Sequence, residues 1–239
     1  QTGGNSIAST LGGGAASDAA WAAAHTMGTN DSTGESNVYV EDNTITNLRD
    51  GWDCDNGSKT VFRHNILNDS TIITHGGGAF DGGNDSSGVG SRSLEIYANT
   101  FNRVSTGARD GPINRWVWFR GSSGVVASDV MDEANAPPEW NAGEQLMRSV
   151  CNGAAGYPRP YQVGQQTVTP DATPDYPVLI FANSGYGTPI GAIATGANPN
   201  TTCSNPGSMI VLGRDYSTNN SWAWVPYQYP HPLASAGGS

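Results

Sequence analysis

The feature that most restricts what this chain can fold into is a motif that recurs between Asn37 and Met131. Asn37-Val38-Tyr39-Val40-Glu41-Asp42-Asn43-Thr44-Ile45 returns as Lys59-Thr60-Val61-Phe62-Arg63-His64-Asn65-Ile66-Leu67. It returns again as Ser93-Leu94-Glu95-Ile96-Tyr97-Ala98-Asn99-Thr100-Phe101. Aligned on the asparagine, one slot holds Val38, Thr60 and Leu94, a second holds Val40, Phe62 and Ile96, and a third holds Ile45, Leu67 and Phe101. Alternation places the first two slots on one face of a short strand. The asparagine then opens a turn, where its side chain can bond nearby backbone or the same residue one layer away. Successive asparagines are 22 and then 34 residues apart. One copy has only two or three apolar side chains to bury, so the motif makes sense only as a stack of copies.

The reading is an all-β fold, a single-stranded right-handed parallel β-helix (a solenoid) with long loops and a short N-terminal helix. The surplus of the longer interval is extruded as a loop. A fainter coil is expected at Gly124-Val125-Val126-Ala127-Ser128-Asp129-Val130-Met131, with Asp129 in the asparagine slot, and another at Val178-Leu179-Ile180-Phe181-Ala182-Asn183. Residues 1–36 form a Gly/Ser-rich segment ending in a capping helix over Ala15–His25. In that helix Ser17 or Asp18 is the N-cap and Trp21 the one large apolar side chain. Residues 37–183 hold the coils. Residues 184–239 hold a last strand, Met209-Ile210-Val211-Leu212, and an aromatic, proline-rich ending read as a strap or cap at the last coil. Between 132 and 173 the prolines deny a continuous ladder, and regularity is expected to lapse. Asp50-Gly51-Trp52-Asp53-Cys54-Asp55-Asn56-Gly57 is read as a turn with solvated carboxylates, since its acidic spacing misses the EF-hand pattern.

The motifs Tyr39-Val40-Glu41-Asp42-Asn43, Val61-Phe62-Arg63-His64-Asn65, His75-Gly76, Glu95 to Phe101 and Phe119-Arg120-Gly121 resemble bacterial extracellular β-helix proteins of the pectate-lyase-like superfamily. So do Gly156-Tyr157-Pro158, Gln162-Val163-Gly164 and the ending Tyr227-Gln228-Tyr229-Pro230-His231-Pro232-Leu233. The resemblance covers about residues 21 to 233. It implies the fold and a secreted or cell-surface location, but it leaves activity open, because β-helices host lyases, hydrolases, fibres and adhesins alike. Longer members of the group carry further coils ahead of the matched part, which implies a C-terminal portion or a shortened relative.

Composition narrows the partners. A formal charge of −10 with 13% charged residues excludes nucleic acid, whose phosphates demand Lys and Arg. The same charge makes an anionic polysaccharide awkward without a bridging cation. An uncharged extracellular glycan, or a protein surface, is easier; the partners expected are an extracellular glycan or other copies of the chain in a homo-oligomer or filament. No stretch is long and apolar enough to span a membrane. No cofactor is called for, calcium being the one candidate, and no CxxC or Cys/His cluster suggests another metal. Of the three cysteines, Cys151 and Cys203 lie in loop-like sequence that suits a disulfide, which leaves Cys54 alone.

Two functions compete. The first is a structural or surface-binding module: an adhesin, fibre or filament subunit, with glycan binding as one form of it. This needs only the stack. The alternative is a polysaccharide lyase or glycoside hydrolase on an extracellular glycan. Its catalytic candidates are His75, Asp81, Asp85 and Arg92, in a glycine-rich insertion where titratable groups can gather on a rigid scaffold. Arg63, Arg92 and Arg120 are the candidate bases for lyase chemistry. Substrate binding is assigned to Trp116 and Trp118, with Glu95 and Arg120. If Val117 and Phe119 face inward, alternation leaves the two indoles outward, as a platform for sugar rings.

Overall fold

A computed structural model of the chain describes residues 37–48, 51–54, 59–74, 91, 93–104, 116–121, 123–131, 144–148, 163–164, 177–185, 194–197, 210–221 and 223–232. The expected helix over Ala15–His25 with Trp21, the His75–Arg92 insertion apart from Ser91, and the Cys151/Cys203 pair lie outside these residues.

The described chain is almost wholly β, and all its sheets are parallel. The first sheet contains β1 (Val38–Glu41), β4 (Lys59–Arg63), β7 (Ser93–Tyr97), β10 (Ser123–Ala127), β13 (Val178–Phe181) and β16 (Tyr216–Ser217), in that order. The second contains β2 (Thr44–Thr46), β5 (Ile66–Asn68), β8 (Thr100–Asn102), β11 (Val130–Met131) and β14 (Ser184–Gly185). The third contains β3 (Trp52–Cys54), β6 (Ile72–Thr74), β9 (Val117–Phe119), β12 (Glu144–Arg148) and β15 (Ala194–Ala197). The chain visits the sheets in rotation, so every strand pairs with the strand three elements on, and each circuit stacks on the one before. This is the topology of a parallel stack, and it sets which side chains share a column.

Register follows the repeat. Val40 pairs with Phe62, Phe62 with Ile96, and Ile96 with Val126, the column expected from the sequence. Phe62, Ile96 and Val126 are fully buried. The second sheet adds Leu67, Phe101 and Met131 to the same core, and the third adds Ile72, Val117, Phe119 and Leu146. No single circuit could exclude water from this core. The stack does, and each buried large side chain contributes about 1.5–3 kcal/mol relative to exposure. Gly124 stands in the slot held by Leu94 one circuit earlier. A Cβ there would fall 2.0 Å from the Leu94 carbonyl oxygen, so only glycine lets β10 close on β7.

The turn from the first sheet to the second has one construction in every circuit. Asp42, His64, Ala98, Ser128 and Ala182 all take left-handed backbone, with φ of 58°, 55°, 56°, 58° and 56°. A non-glycine residue there costs roughly 1–2 kcal/mol. In the first three of these turns the next residue, the motif asparagine, offsets that cost. Its Nδ2 reaches back over the left-handed residue to a carbonyl: Asn43 to Glu41 at 2.7 Å, Asn65 to Arg63 at 2.9 Å, Asn99 to Tyr97 at 3.2 Å. The rungs also join one another. Asn43 donates its backbone N–H to Asn65 Oδ1 at 3.0 Å, Asn65 to Asn99 Oδ1 at 2.9 Å, Asn99 to Asp129 Oδ1 at 2.7 Å, and Asp129 to Asn183 Oδ1 at 2.9 Å.

Four readings of local sequence are corrected. Trp52–Cys54 is a strand of the third sheet rather than part of a turn, because it pairs with Ile72–Thr74 and buries Cys54 against the core, while Asp53 is exposed as expected. Glu144–Arg148 is a strand within the stretch read as irregular. The last strand among the described residues is Tyr216–Ser217; of the stretch expected to be that strand, Ile210 to Leu212 form none, and Val211 and Leu212 are exposed. Trp116 is wholly buried rather than outward. It sits at a bend before β9, where alternation does not yet apply, and its ring packs 5.6 Å from Phe101.

Phe62→Ala is expected to lower unfolding free energy by about 3–5 kcal/mol in urea titrations. Gly124→Ala is expected to be the more damaging of the two, because the atom in its way is backbone.

Candidate functional site

Two surfaces of the stack carry chemistry. The first is the outer face of the third sheet. Trp52 and Val117 pack into the core, so the middle residues Asp53, Ile73 and Trp118 form the opposite row, aligned by register. Trp118 is half-buried, and the Arg120 guanidinium lies over its ring at 4.9 Å. Arg120 is itself buried, so this cation–π contact is shielded from water and stiffens the indole. Thr74 fixes the neighbouring bend: its hydroxyl donates to Gly121 O at 2.9 Å and accepts from Arg120 N at 3.1 Å. Of the expected substrate-binding set, the structure therefore brings Trp118 and Arg120 together and sends Trp116 into the core. Glu95 is placed elsewhere, on the first sheet.

The second surface is the outer face of the first sheet. In β7 and β13 one alternate set, Leu94, Ile96, Val178 and Ile180, enters the core. The other set forms a second apolar cluster outside, of Val61, Tyr97, Val125, Ala127 and Leu179. The segment 223–232 lies along it. Asn220 launches this strap, accepting Trp224 N at 2.6 Å and donating to Trp224 O at 2.8 Å. The Trp224 indole packs 5.0 Å from Tyr97 and donates to Glu95 Oε2 at 2.8 Å. Farther along, Tyr227 meets Tyr39 at 6.0 Å, Tyr229 stacks on His64 at 3.5 Å, and His231 lies 4.3 Å from Tyr39. The ending expected at the last coil thus runs back to the first described circuit.

Arg63 is the centre of this face. A guanidinium has five N–H donors. Nε and one Nη2 hydrogen go to Glu41 Oε1, Nη2 also reaches Gln228 O at 2.7 Å, and Nη1 donates to Tyr97 Oη at 2.8 Å and Tyr227 O at 2.7 Å. The rings of Tyr39, Tyr97 and Tyr229 surround it at 5.2, 5.7 and 5.3 Å. Burial works to lower the pKa of Arg63, but the Glu41 hydrogen bond and then Tyr97 leave it raised, so the charge is permanent. Burial, followed by the Arg63 charge, lowers the pKa of His64 and favours the neutral ring that Tyr229 covers. Asp42 accepts the Tyr229 hydroxyl, and that bond above all holds the phenol's pKa up. With every donor engaged, Arg63 is a clamp for the strap rather than a base, which corrects its place among the lyase candidates.

Sequence reasoning missed this cluster although one signal was present. Glu41, Arg63 and Tyr97 occupy one column of the repeat, and opposite charges in adjacent layers are a pairing signal. His75, Asp81, Asp85 and Arg92 lie outside the described residues, as do Cys151 and Cys203. Cys54 is buried, and its thiol donates to Thr60 Oγ1 at 3.6 Å. Among the described residues no group of three or more His, Cys, Asp or Glu side chains could hold a metal ion, and no helix is long and apolar enough to cross a membrane. No family model, no curated protein and no solved structure matches this chain.

Arg63→Ala is expected to free the strap, strand Glu41 in a half-buried position and lower stability by about 3 kcal/mol. Limited proteolysis should then cut within 223–232 well before the body of the stack. Cleavage at the wild-type rate would show that the clamp is not what holds the strap.

Proposed function

We propose that the chain is an extracellular, right-handed, single-stranded parallel β-helix module, resembling the pectate-lyase-like superfamily, with a structural or surface-binding role through association with other copies. The supporting observation is the edge of the first described circuit. All four residues of β1 are half-buried, whereas all five of β4 are buried. Val40, Ile45 and Trp52 complete the core columns there but are only partly covered. Each later rung of the ladder receives donors from the circuit before it. Asn43 is exposed, and no donor among the described residues reaches its Oδ1. An edge strand with half-covered apolar columns, next to a rung whose Oδ1 receives no donor among the described residues, is a template for a further parallel layer. A low proportion of charged residues and 32 glycines fit a secreted solenoid. Where the partner is a glycan, the net charge of −10 favours an uncharged one over an anionic one.

Light scattering and electron microscopy of the whole chain test this reading. The expected outcome is concentration-dependent association that Val40→Lys and Ile45→Lys abolish, with the β-sheet circular dichroism retained. A strictly monomeric wild-type protein at high concentration overturns it.

Action on, or binding of, an extracellular glycan is the second reading, favoured by the half-buried Trp118 held under Arg120. An indole with one supported face suits the apolar side of a sugar ring. Trp118→Ala is expected to abolish retention on neutral-glycan affinity gels while leaving the unfolding free energy within about 1 kcal/mol of wild type. Retention unchanged by that substitution removes this surface from consideration.

A further inference from the structure

The ladder contains one rung of different chemistry. Asn43, Asn65, Asn99 and Asn183 can each offer two Nδ2 hydrogens to acceptors around the turn, and Asp129 offers none in its ionised form. We propose that Asp129 is a proton-operated rung: its neutral carboxylic acid completes the ladder between Asn99 and Asn183, and its ionisation loosens the stack at that layer.

The geometry fixes what surrounds the carboxyl. Oδ1 accepts two hydrogen bonds from Asn99, the backbone N–H at 2.7 Å and Nδ2 at 2.9 Å. Oδ2 is buried and has no hydrogen-bond partner. It occupies the place that Nδ2 fills in the other rungs. There Asn65 Nδ2 donates to Val40 O in the preceding circuit at 2.8 Å, Asn99 Nδ2 to Phe62 O at 3.0 Å, and Asn183 Nδ2 to Val126 O at 3.1 Å. Each reaches the residue three before the preceding rung, and for Asp129 that residue is Ile96. Within the same circuit, the counterpart of Arg63 O and Tyr97 O is Ala127 O. The next rung presents Asn183 Oδ1, which already accepts Asp129 N at 2.9 Å. Every neighbour in that direction is therefore an acceptor. A carboxylate oxygen there meets only negative ends of dipoles, whereas a protonated Oδ2 donates into them.

No compensating charge lies nearby among the described residues. The turns above and below contribute Ala98 with Asn99 and Ala182 with Asn183, and the rung's own turn contributes Ser128. The ionisable side chains of β7 point to the outer face, where Glu95 accepts from Trp224 and Tyr97 accepts from Arg63. Burial, only partly opposed by the two Asn99 donors, carries the pKa of Asp129 from 3.8 up to about 7. The sign follows. Between 3.8 and about 7 the folded chain holds a proton that the unfolded chain has released, so this residue's contribution to stability falls as pH rises through that window. Below the window the rung is intact. Above it the loss is complete and constant.

The device sits between the circuits joined by Asn99 and Asn183, and the strap spans the same circuits, from Phe181 to Tyr39. Loosening this rung therefore strains or frees the strap from within.

The test compares urea unfolding of the whole wild-type chain with Asp129→Asn from about pH 4 to about pH 9, alongside infrared difference spectra of the wild type. The expected result is a wild-type unfolding constant that rises relative to the variant by up to roughly tenfold per pH unit across the window and then runs parallel to it. A protonated-carboxyl stretch should be present in the wild type at about pH 5, vanish above neutrality and be missing from the variant. Parallel stability curves for the two proteins throughout, or no protonated carboxyl at about pH 5, overturn the proposal. Should the variant fail to fold, that result also counts against it, since an asparagine fits every other rung, and the wild-type spectrum decides the protonation state independently.

Discussion

The hydrogen bonds of one side chain, repeated once per circuit, are what the rest of the structure depends on. A three-sheet stack must turn the chain sharply from the first sheet to the second in every layer. Here it does so through left-handed, non-glycine residues that disfavour the conformation by themselves. The rung asparagine reverses the balance by bonding backwards to its own turn and onward to the next circuit. Because one amide serves both bonds, turn geometry and inter-circuit register are set together. A one-residue slip would move every core side chain outward and every rung off its neighbour, so the alternatives are excluded twice over.

The three sheets share one interior but have unlike exteriors. The second sheet leaves Thr44, Thr46 and Ile66 exposed. The third carries a supported indole beside Arg120. The first has an outer surface too apolar to face water, with Val61, Val125 and Leu179 in a contiguous cluster, and the strap covers it. A buried arginine is costly unless all its donors are satisfied. Arg63 meets that condition only because the strap supplies two backbone carbonyls beyond what the sheet offers. The strap and the arginine thus require each other, which makes this face a fixed structural element.

This division of labour separates structural polar groups from the surfaces left for partners. Glu41, Asp42, Arg63 and Glu95 are engaged with the strap. Asp129 is engaged inside the ladder. Among the described residues, the first circuit's edge and the Trp118 row face outward with chemistry to offer.

The sequence by itself determined the parts of the structure governed by short-range periodicity. The motif slots locate β1, β4, β7, β10 and β13, the Val40–Phe62–Ile96–Val126 column and the ladder with Asp129 in place of asparagine. Two-residue alternation and a left-handed turn are properties of contiguous residues. The three-residue strands Trp52–Cys54 and Ile72–Thr74 were illegible, because three residues hold no period to detect and their pairing partners lie a full circuit away. Trp116 was misassigned because alternation says nothing about where a strand begins, and the bend at that residue turns its ring into the core. Only the tertiary structure decided which outer face is covered. Arg63 and the carbonyls of Tyr227 and Gln228 are separated by 164 and 165 residues. No local pattern encodes a contact over that distance, since it is fixed by where the whole stack delivers the strap.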